Sequence, residues 1–200
     1  RKLLTVEDPV EYDLEGVVQT SVNTDVGLSF ASALRSFLRQ DPDVIMVGEI
    51  RDEETAQMAL QAALTGHLVL STLHTPDAAS AVVRLIEMGA PPFLIAAALK
   101  GVVAQRLLRR PCPACSARVP SESQRSAPRC QCGGVGFRGR TGIYEVMEID
   151  ERLRALIQEG CPAMVLRQAA IAHGMRPLRD EGLRCAEAGE VAMQDVLEHL

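Results

Sequence analysis

Phe37 to Thr75 read FLRQDPDVIMVGEIRDEETAQMALQAALTGHLVLSTLHT, and the fold is decided there. Two short apolar runs, Val44-Ile45-Met46-Val47 and Leu68-Val69-Leu70, each give way to small or polar residues. The first is followed by GEIRD and the second by STLHT. Between them, Glu53 to Leu64 repeats Ala, Met and Leu at helical spacing. A continuous apolar run suits a strand buried on both faces. Strand, helix, strand is the unit of a parallel sheet, and such sheets place ligands beyond the carboxyl ends of their strands. Here those ends carry Glu49 and His74.

Working outward, Leu3-Leu4-Thr5-Val6 is a third apolar strand, closed by Glu7-Asp8-Pro9. Pro9 cannot continue a central ladder. Val17 to Val22 is a more polar extended piece, placed near an edge. Ser29 fits the N-cap of a helix over Phe30 to Arg39, and Asp41-Pro42-Asp43 breaks that helix before the strand at Val44. Pro76-Asp77 opens a helix reaching about Met88, and Phe93 to Leu99 forms another. Gly101 to Leu108 reads either as the tail of that helix or as a strand. Thr141 to Ile149 alternates like a strand, and two or three short amphipathic helices follow from Glu151, broken at Gly160-Cys161-Pro162 and at His173-Gly174.

The chain has 200 residues, enough for one sizeable core and a small appendage. Its net charge of -5 and its 3% aromatic content argue against a nucleic-acid binder. No apolar run approaches the ~18 residues that span a bilayer, and no secretory signal opens the chain. A cytoplasmic protein, or a fragment of one, is expected. Six cysteines then read as metal ligands and buried thiols rather than disulfides.

The charge is segregated. Lys100 to Arg140 holds nine Lys/Arg against one acid, Glu122, a surplus of +8 that leaves -13 for the remainder. Four cysteines lie inside that basic block. Cys112-Pro-Ala-Cys115 and Cys130-Gln-Cys132 form two clustered pairs, the spacing of a structural Zn²⁺ site. Four thiolates around Zn²⁺ carry a net -2, which nearby arginines offset. Degenerate free thiols are the alternative. Cys161 and Cys185 fall in helical patterns and read as buried small side chains.

Glu7 and Glu49 both follow apolar strands, so a parallel sheet brings them to one rim. A carboxylate there holds hydrated Mg²⁺ or orients a water; the plainer reading is that each caps a neighbouring helix. His67 and His74 stand at opposite ends of one strand. His74 fits a phosphate sensor or a surface histidine equally well.

Three stretches carry a resemblance. TVEDPVEY at 5–12 resembles the aspartate box of the secretion ATPase superfamily, RQDPDVIMVGEIRD at 39–52 its Walker B segment, and TGHLVLSTLHT at 65–75 its histidine box. The order is that of the family, and the similarity continues through RGRTGIYE to nearly the C-terminus. The nearest branch is the type II secretion and type IV pilus assembly ATPases, of the GspE/PilB type. This implies a RecA-like α/β P-loop NTPase core, truncated on its N-terminal side, at 1–108. A tetracysteine zinc-binding insert at 109–140 and a C-terminal strand with a helical subdomain at 141–200 complete the division.

The resemblance implies a homohexamer that binds ATP and Mg²⁺ and drives protein secretion or pilus assembly. Its partners would be inner-membrane platform and cytoplasmic-anchor proteins, at the cytoplasmic face of the bacterial inner membrane. Residue by residue, Glu49 matches the Walker B glutamate, Glu7 the aspartate-box glutamate that acts as base or orienter, and His74 the γ-phosphate histidine. His67 matches the second box histidine. Arg35, Arg39 and Arg51 fit positions where family arginines contact phosphates or neighbouring subunits; solvated helix-face charges are the alternative. The second cysteine pair departs from the family's C-x-x-C and follows a short loop.

The family's Gly-rich phosphate loop belongs upstream of the aspartate box. G-x-x-x-x-G-K-[ST] does not occur here, and the only lysines are Lys2 and Lys100. The sequence therefore reads as the C-terminal part of such an ATPase, cut inside its catalytic domain and inactive alone. A non-catalytic zinc-containing interaction module is the alternative function. A zinc-ribbon nucleic-acid binder is suggested only by the basic block and opposed by the acidic remainder.

Overall fold

A computed structural model describes residues 1–116, 132–133 and 135–200. Four parallel strands form the main sheet, in the order β2-β1-β3-β4: β1 (Leu3–Glu7), β2 (Val17–Ser21), β3 (Val44–Val47) and β4 (Leu68–Ser71). Leu4 lies beside Ile45, which lies beside Val69, and Val6 beside Val47. The three apolar runs thus lie side by side and point one way, as expected from the sequence.

Helix α1 (Phe30–Phe37) starts at Ser29, whose hydroxyl accepts from Ser32 N while Ser32 returns the bond to the Ser29 amide. That reciprocal cap satisfies two orphan donors of the first turn. Phe30, Ala33, Leu34 and Phe37 recur at helical spacing and are buried against Leu4, Val6, Ile45 and Val47. Leu34 is wholly buried, a contribution of about 1.5–3 kcal/mol from its side chain alone.

Helix α2 (Glu53–Leu64) follows β3, capped by Asp52, whose carboxylate accepts from Thr55 N at 2.8 Å. Glu53 and Glu54 in its first turn suit the helix dipole. Ala56, Ala59 and Ala62 make its inner face small, and Ala59 and Ala62 join the core against the sheet. Helix α3 (Ala78–Glu87) is capped by Asp77 and buries Ala78, Ala81, Val82 and Leu85. Helix α4 (Pro92–Ala98) begins on a proline at its first position, where a missing N–H costs nothing.

One strand departs from its reading. The run Leu68-Val69-Leu70 was expected to be buried on both faces, but Leu68 is 51% and Leu70 49% exposed. Helices α1 and α2 cover the face that carries Leu4, Val6, Ile45 and Val47. Leu68 and Leu70 register with Val44 and Met46 on the opposite face, at the last strand of the order. Apolar continuity reports composition and cannot tell which face a neighbour will cover.

The chain divides into two units, 1–102 with 148–170, and 103–147 with 171–200. In the second, β5 (Gly101–Pro111) pairs with β6 (Phe137–Glu148), so Gly101 to Leu108 is a strand and not a helix tail. Cys112 follows β5 directly, and Cys115 lies in a four-residue helix, α5 (Pro113–Ser116). Beyond Glu151 the chain forms four helices rather than two or three: α6 (Glu151–Gln158), α7 (Ala163–Ala172), α8 (Leu178–Glu187) and α9 (Met193–His199). The extra break falls at residues 188–192, where no proline marks it. Cys185 is buried as expected, whereas Cys161, in the turn between α6 and α7, is only half-buried.

Two buried acids organise the second unit. Glu145 is fully buried on β6 and accepts from Leu178 N at 3.2 Å. It caps α8 in place of Pro177, which has no side-chain donor or acceptor to offer. Asp195 on α9 accepts from Arg109 Nε at 2.9 Å and from the Arg109 amide at 3.1 Å. The hydrogen bond from the Arg109 guanidinium holds the Asp195 carboxyl below its usual range. Arg109 also lies over the Phe137 ring, 4.2 Å from its centroid.

Candidate functional site

The carboxyl ends of β1, β3 and β4 meet at Gly48. Its amide donates to Val6 O at 2.8 Å, and its carbonyl accepts from the Thr72 hydroxyl at 2.6 Å. The amide of Ile50 donates to Thr72 O. A Cβ at residue 48 would lie 3.2 Å from Val6 O and 3.3 Å from Glu7 Cα. Glycine here lets β3 close on the end of β1, which sets the residues after each strand side by side.

Glu49 follows at once. Its side chain is 13% exposed, and Oε1 forms an ion pair with Arg51 Nη2 at 2.5 Å. Its Oε2 is buried without a hydrogen bond; His74 Nε2 is 3.4 Å away but not aligned to donate. Arg51 also stands 3.5 Å from Asp8 Oδ2. The hydrogen bond and charge of Glu49 hold the Arg51 guanidinium more firmly protonated than usual. An acidic oxygen buried without a partner is costly unless something completes it. A hydrated cation or a water fits that position, so the residues present suit Mg²⁺.

Glu7 is at the same end of the sheet but is engaged differently. Its Oε1 accepts from the Thr5 hydroxyl at 2.5 Å and from Gln19 Nε2 at 3.0 Å. Gln19 in turn donates to Tyr12 O and accepts from Leu14 N, which ties the loop after β1 to β2. Thr5 is buried in register with Gln19. Thr5, Asp8, Gln19 and Thr72 were not singled out from the sequence. A polar residue inside an apolar strand marks Thr5, but Gln19 gains meaning only from the pairing of β1 with β2.

The remaining predicted residues separate. His67 sits at the amino end of β4, where Nδ1 lies 2.9 Å from Ala62 O and 3.1 Å from Thr65 Oγ1. It closes the end of α2, away from the rim that carries His74. Arg35 pairs with Glu54 between α1 and α2. Arg39 is exposed in the turn after α1, next to Gln40, whose carbonyl accepts from Lys2 at the start of β1.

In the second unit, Cys112, Cys115 and Cys132 bring their sulfurs within 4.8 Å of one another, with Cys115 and Cys132 3.5 Å apart. Tetrahedral Zn²⁺ with ~2.3 Å bonds holds its sulfurs about 3.8 Å apart, so the donor set fits a metal. Cys130 lies outside the described residues. Among those residues, no helix is long and apolar enough to cross a membrane.

The family model for Type II/IV secretion system protein matches residues 1–198. The chain belongs to that family. Within the type II/IV secretion family it is 53% identical over 196 residues to type II secretion system protein HxcR of Pseudomonas aeruginosa, covering 98% of this chain and 41% of that protein. It is 49% identical to the type IV pilus assembly ATPase PilB of Thermus thermophilus, covering 96% of this chain and 24% of PilB. The crystal structure of the pilus retraction motor PilT with bound ADP matches all of this chain and 52% of that one. Its TM-score is 0.76 at 31% identity. The chain thus spans less than half the length of these curated relatives, and its α/β parallel-sheet fold is shared with this family's ATPases.

Proposed function

We propose that this chain is the C-terminal catalytic portion of a motor ATPase that drives type II protein secretion or type IV pilus assembly. The observation that carries this reading is Glu49: a nearly buried carboxylate with one bare oxygen, 3.4 Å from His74, at the carboxyl ends of parallel strands. Family membership supplies the reaction class, hydrolysis of ATP by in-line attack of water on the γ-phosphate.

Each residue then has a task. Glu49 Oε2 would hold hydrated Mg²⁺ or the water beside it, and Mg²⁺, when bound, would offset charge on the phosphates. Glu7, steadied by Thr5 and Gln19, orients the attacking water and takes up its proton. His74, almost wholly exposed, donates toward the γ-phosphate oxygen. Arg35 and Arg39 are available to a neighbouring subunit. The triphosphate needs backbone amides and a lysine from a phosphate loop in the upstream portion. On this reading the motor is a RecA-like hexamer that binds nucleotide between subunits and works at the cytoplasmic face of the inner membrane.

Cys112, Cys115 and Cys132, with Cys130 as fourth ligand, would hold a structural Zn²⁺ that closes the 109–140 insert. That cluster also favours a second reading, a zinc-containing interaction module without catalysis. Phosphate release by the full-length gene product decides between them. ATP turnover lost on Glu49→Gln and on Glu7→Gln supports the motor; a full-length protein with no turnover leaves the module.

A further inference from the structure

Arg51 lies where the loops after β1 and β3 meet. Its two terminal nitrogens are divided between two acids, Nη2 at 2.5 Å from Glu49 Oε1 and Nη1 at 3.5 Å from Asp8 Oδ2. Glu49 Oε2 has no hydrogen bond. One oxygen of the carboxylate is therefore clamped, and the other, buried 3.4 Å from His74 Nε2, has no hydrogen bond. A carboxylate free to rotate would exchange its two oxygens; the contact of Nη2 with Oε1, braced by Nη1 on Asp8, opposes that.

We infer that Arg51 is a positioning residue for Glu49: it grips Oε1, ties β3 to Asp8 beyond β1, and reserves Oε2 for the water or hydrated cation of the site. This rests on the ATPase reading of the same rim. It assigns Arg51 a place inside its own subunit, not on a phosphate or a neighbouring subunit. The Arg51 side chain is 60% exposed, so its charge is screened and its geometry carries the effect. A planar fork spans two acids at fixed separation, which an ammonium cannot do.

The signs separate the possibilities. An arginine on the phosphates strengthens nucleotide binding, so its loss weakens it. An arginine that neutralises Glu49 opposes cation binding, so its loss leaves nucleotide–metal affinity unchanged or tighter while the reaction slows. In the full-length gene product, Arg51→Gln is expected to lower kcat about 10–100-fold, the usual scale for a residue orienting a ligand. KM for ATP and the Kd for Mn²⁺–ADP, measured by calorimetry, stay within about twofold of wild type or tighten. Arg51→Lys does not restore kcat, because an ammonium cannot span both acids. Adding Arg51→Gln to Glu49→Gln lowers the residual rate no further, because both act through one carboxylate.

A Mn²⁺–ADP Kd raised about tenfold or more would place Arg51 on the phosphates. Loss of turnover restored by raising protein concentration would place it at a subunit contact. Additive losses in the double variant would also overturn the inference. Glu49→Gln with wild-type turnover would instead remove the parent reading, and this inference with it.

Discussion

Gly48→Ala tests the geometry that the site depends on. The added Cβ would meet Val6 O at 3.2 Å, Glu7 Cα at 3.3 Å and the Phe30 ring at 3.5 Å. Two of these three neighbours are backbone at the end of β1, which cannot rotate away as a side-chain tip can. Optimal carbon contacts are about 3.5–4.0 Å, so β1 and β3 must part by a few tenths of an ångström. They part where the Gly48 amide bonds Val6 O at 2.8 Å. Overpacking of this kind costs about 1–3 kcal/mol. Replacing glycine returns about 0.4–1 kcal/mol by restricting the unfolded chain, since residue 48 has no left-handed backbone to forbid alanine. The midpoints of these ranges give a net loss of about 1.3 kcal/mol, or roughly 3–5 °C in Tm for a chain of this size. Thermal unfolding of the purified chain, followed by circular dichroism, measures it. A Tm equal to or above wild type would show that β1 and β3 do not approach as described, and that Glu7 and Glu49 are not held side by side.

The Glu181 carboxyl is held down to about 2, first by its hydrogen bond from Arg184 and then by that from Arg176. Its folded value lies below the unfolded value near 4.5, so its stabilisation is complete above about pH 4.5 and fades as pH falls toward 2. Wild type should therefore exceed Glu181→Gln in Tm at pH 6, with the gap closing between pH 4.5 and 2; a gap independent of pH would refute the ion pairing. For the cysteine cluster, protein purified under reducing conditions should carry close to one zinc per chain by elemental analysis. Cys132→Ser should lose most of it and lower the Tm, and zinc-free wild-type protein would end that assignment.

Much of the main sheet was legible because its rules are local. The apolar runs at residues 3–6, 44–47 and 68–70 have strand length, end on polar residues, and are separated by a helix pattern. Parallel pairing follows from that order, and with it the joining of Glu49 to the rim of His74. Ser29 caps α1, and α3 opens at Asp77, where the sequence placed them. Glu7, too, lies at the end of its strand.

The partners of those residues were not legible. Arg51 is next to Asp52 and two residues from Glu49 in the sequence, but only the register of β1 with β3 sets it between Glu49 and Asp8. Gln19 steadies Glu7 because β2 lies beside β1, a pairing that the loop at 8–16 does not announce. Asp195 and Arg109 are 86 residues apart and meet through packing. Glu145 looks like a surface acid in an alternating strand, yet it is fully buried as the cap of α8.

The sequence alone determined what recurs along a chain: periodicity, caps, cysteine spacing, and the ordered boxes that resemble the secretion ATPases. Only the tertiary structure decided which oxygen of Glu49 is spoken for, which face of β4 stays open, and that Arg51 turns inward to an acid rather than outward. The reason is physical. Local preferences are encoded within a few residues by sterics and hydrogen bonding, whereas a polar contact is fixed by where distant strands come to rest.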